Sequence, residues 1–171
     1  MITTRTAEAS DISNLHTFIL THGPNAWNYL PVEGVRDHLT AIASGEVQAI
    51  MAEEAGRLVG FVTLMVSSHL ARYLRDSPNQ QHGYIGEAVV DQSLAGRGIG
   101  SRLLQLAVTT LQQQGLKTIF VERHEENLGS AGMMRKAGFV ECDTFDDPAR
   151  RPNGSRRTTV CVYAPQSLGQ G

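Results

Sequence analysis

Gly96, Gly98 and Gly100 alternate with Ala95, Arg97, Ile99 and Ser101 directly between an apolar run, 84–90, and an amphipathic run, 100–114. A strand that turns sharply into a helix leaves the first helical N–H groups without acceptors and aims the positive end of the helix dipole at one spot. Alternate glycines let the backbone close in on whatever lies there without a Cβ in the way. The natural occupant is an anion, a phosphate above all, and Arg97 can add charge-assisted hydrogen bonds. This segment predicts a strand-to-helix unit with a nucleotide-type ligand at its turn. The other reading is a glycine-rich connection that holds no ligand. Two other phosphate loops do not fit: Gly100 is followed by Ser101 and Arg102 rather than Lys-Ser/Thr, and Ser101 stands where a dinucleotide fingerprint needs its third glycine.

The flanking sequence supplies the rest of an α/β chain. Strands are predicted over 2–6, 47–52, 58–66, 84–90, 118–123, 139–145 and 159–163, with Glu53 to Gly56 turning the second pair into a hairpin. Ser10 or Asp11 can cap a helix carrying Ile12, Leu15 and Ile19 on one face, and Pro31 opens a second, with Val32, Val35, Leu39 and Ile42, that Gly45 ends. Leu103, Leu104, Ala107 and Leu111 share a face of the helix after the glycine turn, which Gly115 stops, and a short helix over 130–137 closes at Gly138. Residues 67–83 read as a long polar loop with one helical turn at 70–74, and 166–171 as a disordered tail.

Composition narrows the function. At 171 residues, 41% hydrophobic and 19% charged, the chain suits one globular domain. A net charge of −2 provides no broad positive field, so neither nucleic acid nor a membrane is an expected partner. Met1 to Arg5 lacks the apolar core of a signal peptide, and no run approaches the roughly 20 apolar residues of a membrane span, so a cytoplasmic protein is expected. Cys142 and Cys161 lack the spacing of a metal or redox site, so reduced thiols and no metal are expected.

Val89-Val90-Asp91-Gln92-Ser93-Leu94-Ala95-Gly96-Arg97-Gly98-Ile99-Gly100-Ser101-Arg102-Leu103-Leu104 resembles the acetyl-CoA-binding motif of the GNAT superfamily of acyl-CoA-dependent N-acetyltransferases. That family's Gln/Arg-x-x-Gly-x-Gly/Ala pattern is carried by Gly98 and Gly100, with Ala95 at the Gln/Arg position. A second stretch, 127–139, resembles the family motif in which an Asn leads into a short helix ending Lys-x-Gly-Phe, through Asn127, Ser130, Lys136, Gly138 and Phe139. Met134 falls where many members carry a tyrosine.

The resemblance implies an α/β (α+β) fold: a single GNAT-type domain over 1–165, a mixed, largely antiparallel sheet and helices on both faces. Its fourth and fifth strands would be parallel and splayed, with acetyl-CoA as cosubstrate in the gap. The amides of Ala95, Gly96, Arg97, Gly98, Ile99, Gly100 and Ser101 would hold the pyrophosphate, and the backbone of Val89 and Val90 would pair with the pantetheine arm. Asn127 and Ser130 would face the same arm, a role for Asn127 compatible with capping the helix behind it. The implied activity is acetyl transfer to a primary amine by direct attack, with a glutamate base acting through water. The acceptor would be a small-molecule or peptide amine, and a homodimer is compatible with the sequence. A non-catalytic acyl-CoA-binding sensor of the same fold is the alternative, and an interaction module without a nucleotide ligand a third.

Such chemistry needs a base more than an acid. A lysine-like amine at pH 7 costs about 4.6 kcal/mol to deprotonate and an α-amine about 1, whereas a thiol leaves as thiolate for about 2. Glu87 and Glu122 each interrupt an apolar strand beside the motif, where lost hydration raises a carboxylate pKa. Both are therefore catalytic candidates, and the other reading is an ion pair, for instance Glu122 with Arg123 or Lys117, or a strand-end glutamate facing solvent. An acid in place of Met134 could be Tyr163, Tyr84 or Cys142, unless the thiolate departs unaided. His124 reads as a surface residue at a strand end, and Arg150, Arg151, Arg156 and Arg157, beside Asp146 and Asp147, read as a solvated hairpin rather than a grip on an anionic acceptor.

Overall fold

The glycine turn does join a strand to a helix. In the computed structural model, which describes residues 1–75 and 80–164, the order is β1 (Ile2–Thr6), α1 (Ile12–His22), α2 (Val32–Thr40), β2 (Gln48–Glu54), β3 (Arg57–Ser67), β4 (His82–Val90), α3 (Ile99–Gln113), β5 (Ile119–His124), α4 (Leu128–Lys136), β6 (Val140–Asp146) and β7 (Arg157–Tyr163). The sequence boundaries hold to within a few residues. The largest shift is at α2, which ends at Thr40 and continues as turns to Gly45. The helical turn expected at 70–74 is a 3-10 turn over Ala71–Tyr73. The tail expected over 166–171 lies outside the described residues.

The strands form one sheet in the order β1-β2-β3-β4-β5-β7-β6, antiparallel except for β4 and β5. Alternation along the strands splits the apolar residues between two faces. On one face α3 lays Leu103, Leu104, Ala107 and Leu111 against Val62, Leu64 and Ile85, joined by Met134 and Phe139 around α4. On the other, Leu15, Ile19, Val35 and Leu39 of α1 and α2 cover Met51, Phe61 and Val89. Each buried leucine contributes roughly 1.5–3 kcal/mol, so α3 is among the most firmly held elements. Among the described residues no helix is long and apolar enough to cross a membrane.

Two irregularities position the site. β4 pairs with β5 only at Gly83–Ile119, Tyr84–Phe120 and Ile85–Val121, while β4 keeps pairing with β3 to Val90 and β5 with β7 to His124. The two strands therefore part beyond Ile85 and Val121. At the same level β4 carries a bulge: Val62 faces Ala88 and Leu64 faces Ile85, so Gly86 and Glu87 share the single partner position of Thr63. The extra residue reverses the alternation, so that Ile85 and Ala88 face α3 while Val89 faces α1 and α2. The Thr63 hydroxyl accepts the Glu87 N–H at 2.8 Å and hydrogen-bonds Nε2 of His38 at 2.8 Å, pinning the bulge. Burial pushes the His38 pKa down, which favours the neutral ring.

Candidate active site

Where β4 and β5 separate, a cavity opens that is lined by Glu87 and Tyr84 from β4, Glu122 from β5, Met133 and Met134 from α4, and Arg150 and Arg151 from the β6–β7 connection. Asn28, Tyr29 and Leu30, between α1 and α2, close its far side. That loop is fastened to the end of β5 and to the β6–β7 connection: Trp27 packs on His124 with ring centroids 4.6 Å apart, and Asn153 Nδ2 donates to the Ala26 carbonyl at 2.7 Å.

The two candidate carboxylates have opposite environments. Glu87 is half-buried, and among the described residues nothing hydrogen-bonds its carboxylate. Burial raises its pKa to about 7, against a smaller opposing pull from the Arg151 charge. The Glu122 side chain is 3% exposed and fully engaged. Its Oε2 accepts from Arg150 Nη2 at 2.8 Å, and its Oε1 accepts the Tyr84 hydroxyl at 2.7 Å and faces His69 Nε2 at 3.4 Å. Burial pushes the Glu122 pKa up, but the Arg150 and Tyr84 hydrogen bonds outweigh it and leave it below the ordinary value. Burial and the Glu122 charge push Tyr84 above the usual phenol range. One carboxylate is thus poised to exchange a proton near neutrality and the other is held as an anion.

At the other end of the gap the α3 turn fits a phosphate. Gly98 is the helix N-cap at φ +77°, a conformation that favours glycine, and no side chain caps the helix. The N–H groups of Ile99, Gly100 and Ser101 have no intrahelical acceptor. A Cβ on Gly98 would lie 3.3 Å from Lys136 Nζ, so an ammonium overhangs the turn. Arg97 is placed differently from expectation: its guanidinium makes a bidentate pair with Glu54, at 2.8 and 3.2 Å, on the surface. Such an exposed pair is screened by solvent and does not lock Arg97 away from an anion.

The remaining candidates divide clearly. Ala95 and Gly96 are exposed on the turn, Ser101 is buried with its hydroxyl donating to the Met133 carbonyl, and Val89 and Val90 pair with Phe61 and Gly60 of β3. Asn127 caps α4 by accepting the Ser130 N–H at 3.1 Å, and Ser130 lines the cavity. Glu122 is ion-paired with Arg150, not with Arg123 or Lys117; Arg123 reaches Glu141 instead. His124 is buried, not a surface residue: Nε2 donates to the Asn153 carbonyl at 2.7 Å and Nδ1 accepts the Glu126 N–H at 2.9 Å. Arg150 and Arg151 turn inward, while Arg157 stays at the surface beside Asp146 and Glu125. The local charge pattern of 146–157 does not signal that inward turn, which depends on Glu122 and Thr158. Of the substitute acids, Tyr84 alone lines this cavity; Cys142 is exposed on β6 and Tyr163 packs on Phe139.

The sequence model of the acetyltransferase (GNAT) family matches residues 15–139. An N-alpha-acetyltransferase MAK3 of Arabidopsis thaliana is 26% identical over 90 residues, 53% of this chain and 43% of that protein. A mycothiol acetyltransferase of Cellulomonas flavigena is 32% identical over 92 residues, 53% of this chain and 26% of that protein. The matched stretch thus spans less than half the length of either relative. Among solved structures, NAA60 of Arabidopsis thaliana in complex with acetyl-CoA superposes with a TM-score of 0.78 at 16% identity, over 96% of this chain and 98% of that one. The structure of yncA of Salmonella typhimurium with its cofactor acetyl-CoA does so with a TM-score of 0.71 at 13% identity, over 100% and 98%. The parted parallel strands, the uncapped glycine turn and the match across most of its length agree: this chain belongs to the GNAT acetyltransferase family.

Proposed function

We propose that residues 1–165 act as an N-acetyltransferase domain that moves the acetyl group of acetyl-CoA directly to a primary amine, with Glu87 as the general base. The observation that carries this reading is Glu87 itself: a carboxyl group with a pKa raised to about 7, free of hydrogen-bonding partners among the described residues, in the gap between the parted strands. A base with that pKa is half ionised at neutral pH and can take a proton from an ammonium directly or through one water. Glu122 serves as an anion that holds Tyr84 and Arg150 in the wall of the same cavity.

Acetyl-CoA supplies the activated acyl group. The N–H groups from Gly98 to Ser101 and the Lys136 ammonium would take its pyrophosphate, and the β4 edge that β5 leaves free beyond Ile85 would pair with the pantetheine arm. The thiol leaves as thiolate, a step of about 2 kcal/mol at pH 7 that needs no dedicated acid. Met134 has no proton to give and forms part of the wall.

The test is a panel of primary amines with acetyl-CoA, read by thiol release and repeated with Glu87→Gln. Turnover that depends on Glu87 with a limb near pH 7 supports the reading. Tight acetyl-CoA binding with no turnover of any amine overturns it in favour of an acyl-CoA sensor.

A further inference from the structure

Arg151 carries a buried charge with which no carboxylate among the described residues makes an ion pair. The residue is 8% exposed. Its Nε donates to the Thr158 hydroxyl at 2.9 Å, which in turn donates to Asp147 Oδ2 at 2.7 Å, and this fixes the plane of the guanidinium. Among the described residues no acceptor takes the Nη hydrogens, although the side chain lines the acceptor cavity. The nearby carboxylates are occupied by its neighbour: Arg150 Nη2 holds Glu122 at 2.8 Å and Arg150 Nε holds Asp147 at 2.9 Å. Glu87 lies close enough to feel the Arg151 charge but makes no ion pair with it. A buried guanidinium ordinarily has its counter-charge built into the fold, and one with an open Nη fork is shaped for a planar anion brought by a ligand.

We propose that Arg151 is the anchor for a carboxylate on the acceptor, so that the substrate is a small primary amine carrying its own carboxylate, of amino-acid type. The inference rests on the acetyl-transfer reading above. One open fork matches one monoanionic carboxylate, whereas a polyamine would bring further positive charge against Arg150 and Arg151. The amine and the carboxylate of one compact acceptor would address Glu87 and Arg151, which line the same cavity. Binding would also sharpen the base. Arg151 holds the Glu87 pKa down, and a carboxylate seated on it quenches that pull and leaves burial to act alone.

The experiment compares matched sets of acceptors on the wild-type protein: an amino acid, its primary amide, its decarboxylated amine and its aminophosphonate analogue. The expected result is kcat/KM about tenfold or more higher for the amino acid than for the amide or the bare amine. The amide starts with an advantage, because its less basic amine has the larger neutral fraction. Arg151→Met is expected to collapse the ratio to within about threefold, and Arg151→Lys, which keeps the charge without the fork, to restore part of it. A second readout is calorimetric binding of the N-acetylated amino acid, present in the wild type and lost in Arg151→Met. Should Arg151→Met not fold, the wild-type acceptor series decides alone. Equal turnover of acids and amides, a ratio that survives Arg151→Met, or a preference for aminophosphonates overturns this assignment while leaving acetyl transfer standing. No turnover of any amine with acetyl-CoA binding intact overturns both.

Discussion

The Tyr84 hydroxyl donates to Glu122 Oε1 at 2.7 Å, tying β4 to β5 across their last paired level, Ile85–Val121. That bond commits the phenol proton to a carboxylate held ionised by Arg150, and it pushes the Tyr84 pKa further above its ordinary value. A phenol so placed is a poor acid and a good strut.

Tyr84→Phe is therefore expected to lower turnover by less than about tenfold while destabilising the fold by about 1–3 kcal/mol, because a buried carboxylate loses a partner. Met134→Leu, Tyr163→Phe and Cys142→Ala should each leave turnover within a few-fold. Steady-state rates with one good acceptor, beside urea unfolding, check this. A hundredfold fall in any of the four with acetyl-CoA affinity intact would show that a proton donor assists the leaving thiol.

Glu87→Gln should remove the limb near pH 7 from the pH profile of kcat and lower kcat far more than acetyl-CoA affinity. Glu122→Gln should lower activity by loosening Arg150 and Tyr84 yet keep that limb, since the base is untouched. Full pH–rate profiles of the two variants separate the roles. A limb that persists in Glu87→Gln and vanishes in Glu122→Gln would exchange them.

The raised pKa of Glu87 also has a cost in stability. Its folded value of about 7 lies above its ordinary 4.5, so the native state keeps a proton that the unfolded chain has lost, and stability falls as pH rises between those values. Glu87→Gln is free of this penalty. The variant should be more stable than the wild type at pH 8, by at most about 3 kcal/mol, and not at pH 4. Urea unfolding at the two pH values measures the difference, and equal stability at pH 8 would mean that Glu87 is well solvated.

Gly98→Glu should abolish acetyl-CoA binding, since it forces a side chain into φ +77° and sets a negative charge at the helix N-terminus where the pyrophosphate would lie. Gly100→Glu is a poorer probe, because any Cβ there overlaps the Met133 sulfur and disturbs the α3–α4 contact first. Calorimetry on folded Gly98→Glu gives the answer, and unchanged affinity would move the phosphate site elsewhere.

Local physics made the glycine turn, the strand and helix order and the placing of two glutamates in apolar strands legible in the sequence. Gly96, Gly98 and Gly100 act through their own backbone and the helix that follows, so neighbours in the chain suffice to read them. The roles of Glu87 and Glu122 are a different matter, because desolvation and ion pairing depend on groups far away in sequence. Glu122 became a fixed anion only when the β6–β7 connection brought Arg150 to it across 28 positions, and Arg151 was left without a carboxylate because Arg150 took Glu122 and Asp147. The bulge opposite Thr63 reversed the alternation of β4, and the one hint of it within 84–90 is Gly86, a lone glycine inside a strand. His124 looked like a strand-end surface residue until Trp27 and Asn153, from two distant loops, closed over it. What the chain alone determined is where a strand turns through glycines into a helix whose first N–H groups lack intrahelical acceptors. Which carboxylate is ion-paired, and which arginine is left without a carboxylate, the tertiary structure decided, because both follow from how buried charges are shared among residues that only folding brings together.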